Sequence, residues 1–501
     1  MRKAGEVRNI TRREFIKQAG VVTAGIALGG AAMVEAASLR QSAERPSILF
    51  CLADDWSWPH AGAYGDQVVK TPAFDRVARE GALFTNAYCV SPSCTPSRAA
   101  MLTGQTIHRL EESGNLHSIL QSRFAAYPDL LEAAGYSVGL NGKGWGPGVL
   151  EGSGRTRNPA GPSFKGFSEF LKTVPADKPF CFWLGSHFPH RPYEKGSGAK
   201  SGMKPGHVVV PPFLPDTPEV RSDIVDYYYE VQQFDRQVEQ ALATLEASGR
   251  AANTMMVVTS DNGMPFPRAK ANLYDAGTHM PLAIRWPARV KGGRKVDDFV
   301  SFTDFAPTFL EAAGLKIPHE MTGRSFLSCL TSSGHARDHV FLERERHANV
   351  RRGDLSYPCR AIRTREFLYI RNLEPDRWPA GDPELYVAVG PFGDIDGSPS
   401  KALLLERRED KDIARFFQLA CAKRPAEELY DLTKDPWQLT NVADQPAYAA
   451  RKKKLLAELD RWMKDTADPR ATNPHDDCWD RFPYHGAPAK QDGVADQPLG
   501  S

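Results

Sequence analysis

The chain reads as an α/β protein with a large, mostly parallel sheet flanked by helices, followed by a smaller C-terminal α+β domain. Two observations point there. Three continuous apolar runs each stop at polar, ligand-type residues, and amphipathic helical stretches lie between them. Beyond about His339 the texture changes to short alternating strands.

Ser47 to Ala53 is the first run and ends in Asp54-Asp55. Phe180 to Gly185 ends in Ser186-His187, and Met255 to Ser260 ends in Asp261-Asn262. Ligand sites in open α/β sheets lie outside the carboxyl ends of strands, so these three ends are one pattern repeated. Helical spacing covers Thr71 to Glu80, Tyr127 to Ala134 before Gly135, Ser222 to Ser248 before Gly249, and Thr303 to Ala313 before Gly314. Tyr357 to Arg363 and Phe367 to Arg371 read as paired antiparallel strands. Glu428 to Leu432 reads as a further short strand, and Ala447 to Lys464 as an amphipathic helix. These features divide the chain into an N-terminal segment (1–37), a catalytic domain (45–338), a smaller domain (339–465) and an irregular tail (466–501). The Gly/Pro-rich stretch from Gly142 to Pro162 is a long loop of the functional kind.

The N-terminal segment carries Arg12-Arg13, Phe15 and Lys17, then an apolar stretch from Val21 to Met33 and small residues at Ala36-Ala37. That is the layout of an export signal of twin-arginine type, with an apolar core too short for a bilayer of ~30 Å. The expected location is periplasmic or secreted, with no stable membrane span after processing. A net charge of +2 and the lack of any nucleic-acid-binding motif give no reason to expect a nucleic-acid partner. The eight cysteines form no CxxC pair, which argues against zinc-thiolate chemistry, and export would allow one or two disulfides.

Chemistry concentrates at Cys94-Thr95-Pro96-Ser97-Arg98. A helix opening near Pro96 puts Cys94 at its electropositive end and Arg98 one turn on, a place for an anion beside a nucleophile. Asp54, Asp55, Asp261 and Asn262 offer oxygen donors suited to a hard cation. Lys143 follows a strand-like run, and His190 lies in His187-Phe188-Pro189-His190-Arg191-Pro192.

The Cys-x-Pro-Ser-Arg run with Leu102-Thr103-Gly104 resembles the signature of the type I, formylglycine-dependent sulfatases. The resemblance extends through Phe302 to Thr308 and Glu428 to Pro436. It implies an alkaline-phosphatase-like fold and removal of sulfate from a sulfated saccharide. Cys94 would be oxidised to formylglycine by a maturase before export, and its hydrate would be the nucleophile. Asp54, Asp55, Asp261 and Asn262, with residue 94, would hold a metal, calcium by family expectation, with magnesium left open by oxygen ligands. Arg98, Lys143 and Lys270 would face the sulfate, and His190 would protonate the leaving group. Arg268 is the alternative to Lys270. The family usually has histidine two residues after the lysine; here Trp145 stands instead, and His117 and His187 are the candidates to replace it. Asp261 to Pro267, Pro189 to Arg191 and Ser356 to Pro358 look most like heparan N-sulfatase (sulfamidase), making N-sulfoglucosamine the lead substrate. A phosphonate or phosphate ester hydrolase of the same superfamily and a catalytically silent glycan-binding relative are the alternatives. Glu343 to His347 is either a sugar-selecting segment or a solvated edge strand.

Overall fold

A computed structural model describes residues 45–331, 337–384 and 390–486. The expected export signal lies outside these residues.

The main sheet has seven strands: β1 (Ser47–Ala53), β2 (Ala82–Tyr88), β3 (Ser137–Gly142), β4 (Phe180–Gly185), β5 (Thr254–Ser260), β6 (His279–Arg285) and β7 (Arg294–Ser301). Their spatial order is β3-β4-β1-β5-β6-β2-β7. β6 runs antiparallel to both neighbours, and every other pairing is parallel. The six strands other than β6 therefore send their carboxyl ends to one edge. β1 is buried at every residue because it packs on both faces. Ile48, Phe50 and Leu52 join one core, and Leu49, Cys51 and Ala53 join the other.

The helices that matter here are α1 (Pro72–Glu80), α2 (Cys94–Thr103), α3 (Tyr127–Ala133), α4 (Pro218–Ala247), α5 (Phe305–Ala312) and α6 (Ala449–Asp465). α4 begins four residues before its apolar periodicity does. Thr217 accepts a hydrogen bond from the Val220 backbone N–H and Pro218 fills the first helical position, so capping chemistry sets the start. The stretch at Thr303 opens as a 3-10 turn (Phe302–Asp304) fixed by a capping box between Ser301 and Asp304, and α5 follows it.

A second, wholly antiparallel sheet contains β8 (His339–Arg344), β9 (Cys359–Thr364), β10 (Phe367–Asn372) and β11 (Glu427–Asp431), in the order β11-β10-β9-β8. α6 covers one face through Leu455, Leu459 and Met463. The chain beyond α6 packs back on the larger unit: Trp479 is buried and donates to the Glu111 carbonyl, and Asn115 donates to the Trp479 carbonyl.

Two expectations fail here. All eight cysteines are free thiols, so the disulfides that export would allow do not form. Glu343 to Arg346 is not a solvated edge, because each of these side chains is buried and paired inside the protein. Glu343 meets His108 at 2.7 Å, Glu345 meets Arg360 and Arg470 at 2.9 Å, and Arg344 meets Asp394 at 2.7 Å. Arg346 donates to the carbonyls of Asp354 and Phe482. A sugar-selecting role for these four residues is therefore excluded, and only His347 of the segment reaches the cavity described below.

Candidate active site

The site lies at the common carboxyl edge of the main sheet. Ala53 of β1 pairs with Ser260 of β5, so the residues that follow, Asp54-Asp55 and Asp261-Asn262, emerge side by side. Asp55 has a positive φ of 78°, a strained backbone for a non-glycine residue of the kind stored at functional sites. Its N–H donates to Asp261 Oδ1 at 3.1 Å.

Cys94 occupies the first turn of α2, whose entire length is buried. The helix packs its N-terminal end on the strand edge: Ser97 Oγ donates to the Asp261 carbonyl, and Arg98 Nε donates to Asp261 Oδ2 at 2.7 Å. Arg98 Nη1 donates to the carbonyls of Lys143 and Gly144, tying the loop after β3 to the same point. Cys94 Sγ lies 3.4 Å from Asp54 Oδ1. Lys143 Nζ donates to both oxygens of Asp54, at 2.9 and 2.7 Å. Lys270 Nζ donates to Asp55 Oδ2 at 2.8 Å. His190 Nε2 is 3.9 Å from that oxygen, and its Nδ1 faces the Arg191 carbonyl, which fixes Nδ1 as the protonated nitrogen.

One ligand atom each from Asp54, Asp55, Cys94 and Asp261 fall within 4.8 Å of one another. Asn262 Oδ1 is buried at the same place without a hydrogen-bond partner, as is Arg98 Nη2. A buried carbonyl-type oxygen lacking a donor, beside three carboxylates, is the arrangement a hard divalent cation completes, so the residues present fit the metal.

Burial would raise the Asp54 carboxyl, but Lys143 and then Arg98 outweigh it and hold it well below the usual carboxylate range. Burial pushes the Cys94 thiol far up; Lys143 opposes this, and Asp261 and Asp54 add to it. An unmodified Cys94 is therefore a protonated thiol at neutral pH and a poor nucleophile. Lys143 stays protonated because Asp54 outweighs its burial.

Around this cluster opens a cavity of about 820 Å³. Cys94, Lys143, His190 and Lys270 line it, as do His117, His187 and Trp145. The structure thus brings together all the residues singled out from the sequence except Arg268. That guanidinium turns away, stacks over the Tyr274 ring at 3.9 Å, and donates to the carbonyls of Leu419 and Gln438. Trp145 is nearly buried and offers only an indole N–H, so it cannot accept a proton in place of a histidine. His117 and His187 are both held below the ordinary histidine value by burial, and His347 is held down to about 4.

Three contributors escaped the sequence reading. Asp223 of α4 grips Arg191 through two bonds of 2.8 and 2.9 Å and so fixes the loop that carries His190. Asp396 pairs with Lys270 at 3.1 Å and lines the cavity, as does Tyr484. No spacing or motif marks any of these three; each is joined to the site only by the tertiary fold.

The sequence model of the Sulfatase family matches residues 46–147 and 162–315, and that of the N-sulphoglucosamine sulphohydrolase C-terminal region matches residues 268–383. The chain belongs to the sulfatase family. It is 30% identical to human N-sulphoglucosamine sulphohydrolase over 484 residues, covering 85% of this chain and 92% of that protein. It is 29% identical to an ulvan-active sulfatase of Formosa agariphila over 445 residues, covering 85% and 81% of the two chains. A solved structure described as being in complex with its substrate D-glucosamine-2-N,6-O-disulfate superposes with a TM-score of 0.60. It is 20% identical and covers 86% of this chain and 99% of that one. The sulfatase has the alkaline-phosphatase-like fold and is a hydrolase of sulfate esters or sulfamates.

Proposed function

We propose that this sulfatase removes sulfate from a sulfated amino sugar, with N-sulfoglucosamine as the lead substrate, after oxidation of Cys94 to formylglycine by a maturase. The observation that carries the reading is the convergence of Cys94, three carboxylates and three cations at one end of a single cavity. The relationship to N-sulphoglucosamine sulphohydrolase supports the choice of substrate.

Asp54, Asp55, Asp261, Asn262 and residue 94 would hold the metal, calcium or magnesium, which when bound draws charge from the sulfuryl oxygens. The hydrate of the residue 94 aldehyde would attack sulfur. Lys143, Lys270 and Arg98 bind and orient the sulfuryl group and offset the charge that builds on it. His190 carries one proton on Nδ1, held by the Arg191 carbonyl, so Nε2 is the nitrogen that faces the site; the imidazolium form, with a second proton on Nε2, would deliver that proton to the departing nitrogen or oxygen. Asp223 keeps that loop in place through Arg191. The proton acceptor that the family places two residues after the lysine must come from elsewhere, and His187, neutral and on the cavity wall, fits the task.

The twin-arginine signal would deliver the enzyme to the periplasm already folded. No helix among the described residues is long and apolar enough to cross a membrane.

The test is release of inorganic sulfate and glucosamine from N-sulfoglucosamine by enzyme co-produced with a maturase, run beside an aryl phosphate. Sulfate release with little phosphate release is expected. Faster cleavage of the phosphate ester would favour the phosphoesterase alternative, and no cleavage of either by aldehyde-bearing protein would favour a silent glycan binder.

A further inference from the structure

Much of the polar part of the cavity wall is cationic. Lys143, Lys270, His190 and Arg191 all face it, as suits an anion. Outside the Asp54 cluster two acidic side chains line it, Glu230 and Asp396. Glu230 is largely buried on α4, whereas the Asp396 side chain is 26% exposed and stands at the mouth of the sulfate end, beside Lys270. Lys270 Nζ donates to Asp55 Oδ2 at 2.8 Å and also pairs with Asp396 Oδ2 at 3.1 Å. Asp396 Oδ2 is therefore buried against an ammonium, and the exposed part of the side chain lies away from that oxygen. A carboxylate set among sulfate-binding cations repels the sulfate it adjoins, so it gains nothing from that group. With Oδ2 on Lys270, its second oxygen is left to accept from a ligand, and the donors that accompany sulfate on a sugar are ring hydroxyls.

Resting on the substrate reading above, we propose that Asp396 determines specificity: it accepts a hydrogen bond from the hydroxyl on the ring carbon next to the sulfated position. In N-sulfoglucosamine the sulfated nitrogen sits on C2, between the anomeric carbon and C3; the 3-hydroxyl is the neighbour that stays free when the sugar is part of a glycoside, so it is the one taken. The same charge would turn away a ring carrying a second sulfate there, by like-charge repulsion and loss of the donor. Lys270 would then serve two ends, touching the sulfate side through Asp55 and steadying Asp396 on the sugar side.

The experiment compares kcat/KM for N-sulfoglucosamine, its 3-deoxy analogue and 4-nitrophenyl sulfate, which carries no hydroxyl, with wild type, Asp396→Asn and Asp396→Ala. Wild type is expected to lose roughly tenfold or more on the 3-deoxy sugar, a comparison that requires no variant. Asp396→Ala is expected to lose roughly tenfold more on the sugar than on the aryl ester, with Asp396→Asn, which keeps an acceptor oxygen, in between. Equal rates on the two sugars, or equal losses on sugar and aryl ester, would overturn the proposal, because Asp396 would then act only through Lys270. Wild-type turnover of the aryl ester with none of any sulfated sugar would instead overturn the substrate reading, and this inference with it.

Discussion

Two buried charge networks sit in this protein, one at the carboxyl edge of the main sheet and one behind the second sheet. Both pair buried carboxylates with basic side chains. In the second, Arg360 meets Asp468 at 2.6 Å and Glu345 at 2.9 Å, Arg470 grips Glu345 through two bonds, and Glu343 binds His108 and the Ile107 N–H. Those carboxylates are matched by buried cations. In the first, Asp54, Asp55 and Asp261 are matched by Lys143, Lys270 and Arg98, yet Asn262 Oδ1 and Arg98 Nη2 remain without hydrogen-bond partners beside a cavity of about 820 Å³. Charge density therefore does not separate a working site from a structural one. What separates these two is that the first leaves polar atoms unmet beside open space.

Substitutions should divide along that line. At the main-sheet edge, Cys94→Ala is expected to cut kcat by roughly four orders of magnitude or more while leaving the melting temperature near that of wild type, since the thiol makes one long contact. Asp261→Asn should lose on the order of 10³ in kcat/KM and weaken metal retention, measured by elemental analysis after dialysis, because Asp261 serves Arg98 and two backbone N–H groups as well as the cation. Near-normal turnover in either variant would remove that residue from the mechanism.

Behind the second sheet the expected outcome is inverted. Glu345→Gln leaves Arg360 and Arg470 short of buried countercharge and should cost about 3–5 kcal/mol in denaturant unfolding. The kcat of the folded fraction should stay near wild type. A selective loss of turnover without loss of stability would mean that the two networks are coupled.

The smallest effect concerns pH. Burial lowers His60 and His279 from 6.5 to about 4, against the pull of Asp66 and Asp275 respectively. Between those values the unfolded chain binds protons that the folded chain does not, so stability rises with pH across the window and is lost as pH falls through it. Each histidine counted alone contributes roughly 1–3 kcal/mol at the acid end. Asp235, pushed up to about 7 by burial, works in the opposite sense and trims the slope. Unfolding midpoints at pH 7 and pH 4.5 check the sign; equal midpoints in an Asp235→Asn background would contradict it.

Much of the main sheet was legible because β1, β4 and β5 are continuous apolar runs that end abruptly in charge, and a strand buried on both faces has no other way to look. Asp54, Asp55, Asp261 and Asn262 were legible for the same reason, since they follow directly on strand ends, and Cys94 and Arg98 because they open α2; Lys143, His190 and Lys270 were legible only through the family resemblance. The misreadings share a cause. Glu343 to Arg346 looks solvated because its partners, residues 108, 360, 394 and 470, are distant in sequence. Arg268 and Lys270, two residues apart, were read in the right order: Lys270 reaches Asp55, and Arg268 turns to the carbonyls of Leu419 and Gln438. Asp396 and Asp223 belong to the site solely through packing, so nothing local could announce them.

The most direct measurement is mass spectrometry of the tryptic peptide Glu80–Arg98 from active enzyme, after thiol alkylation. It contains both Cys89 and Cys94, buried alike, and only the second lies among the carboxylates. The account predicts one alkylated cysteine at 89 and an aldehyde at 94, lighter than the thiol form and reactive to hydrazide. Two alkylated cysteines in protein that still turns over sulfate would contradict it.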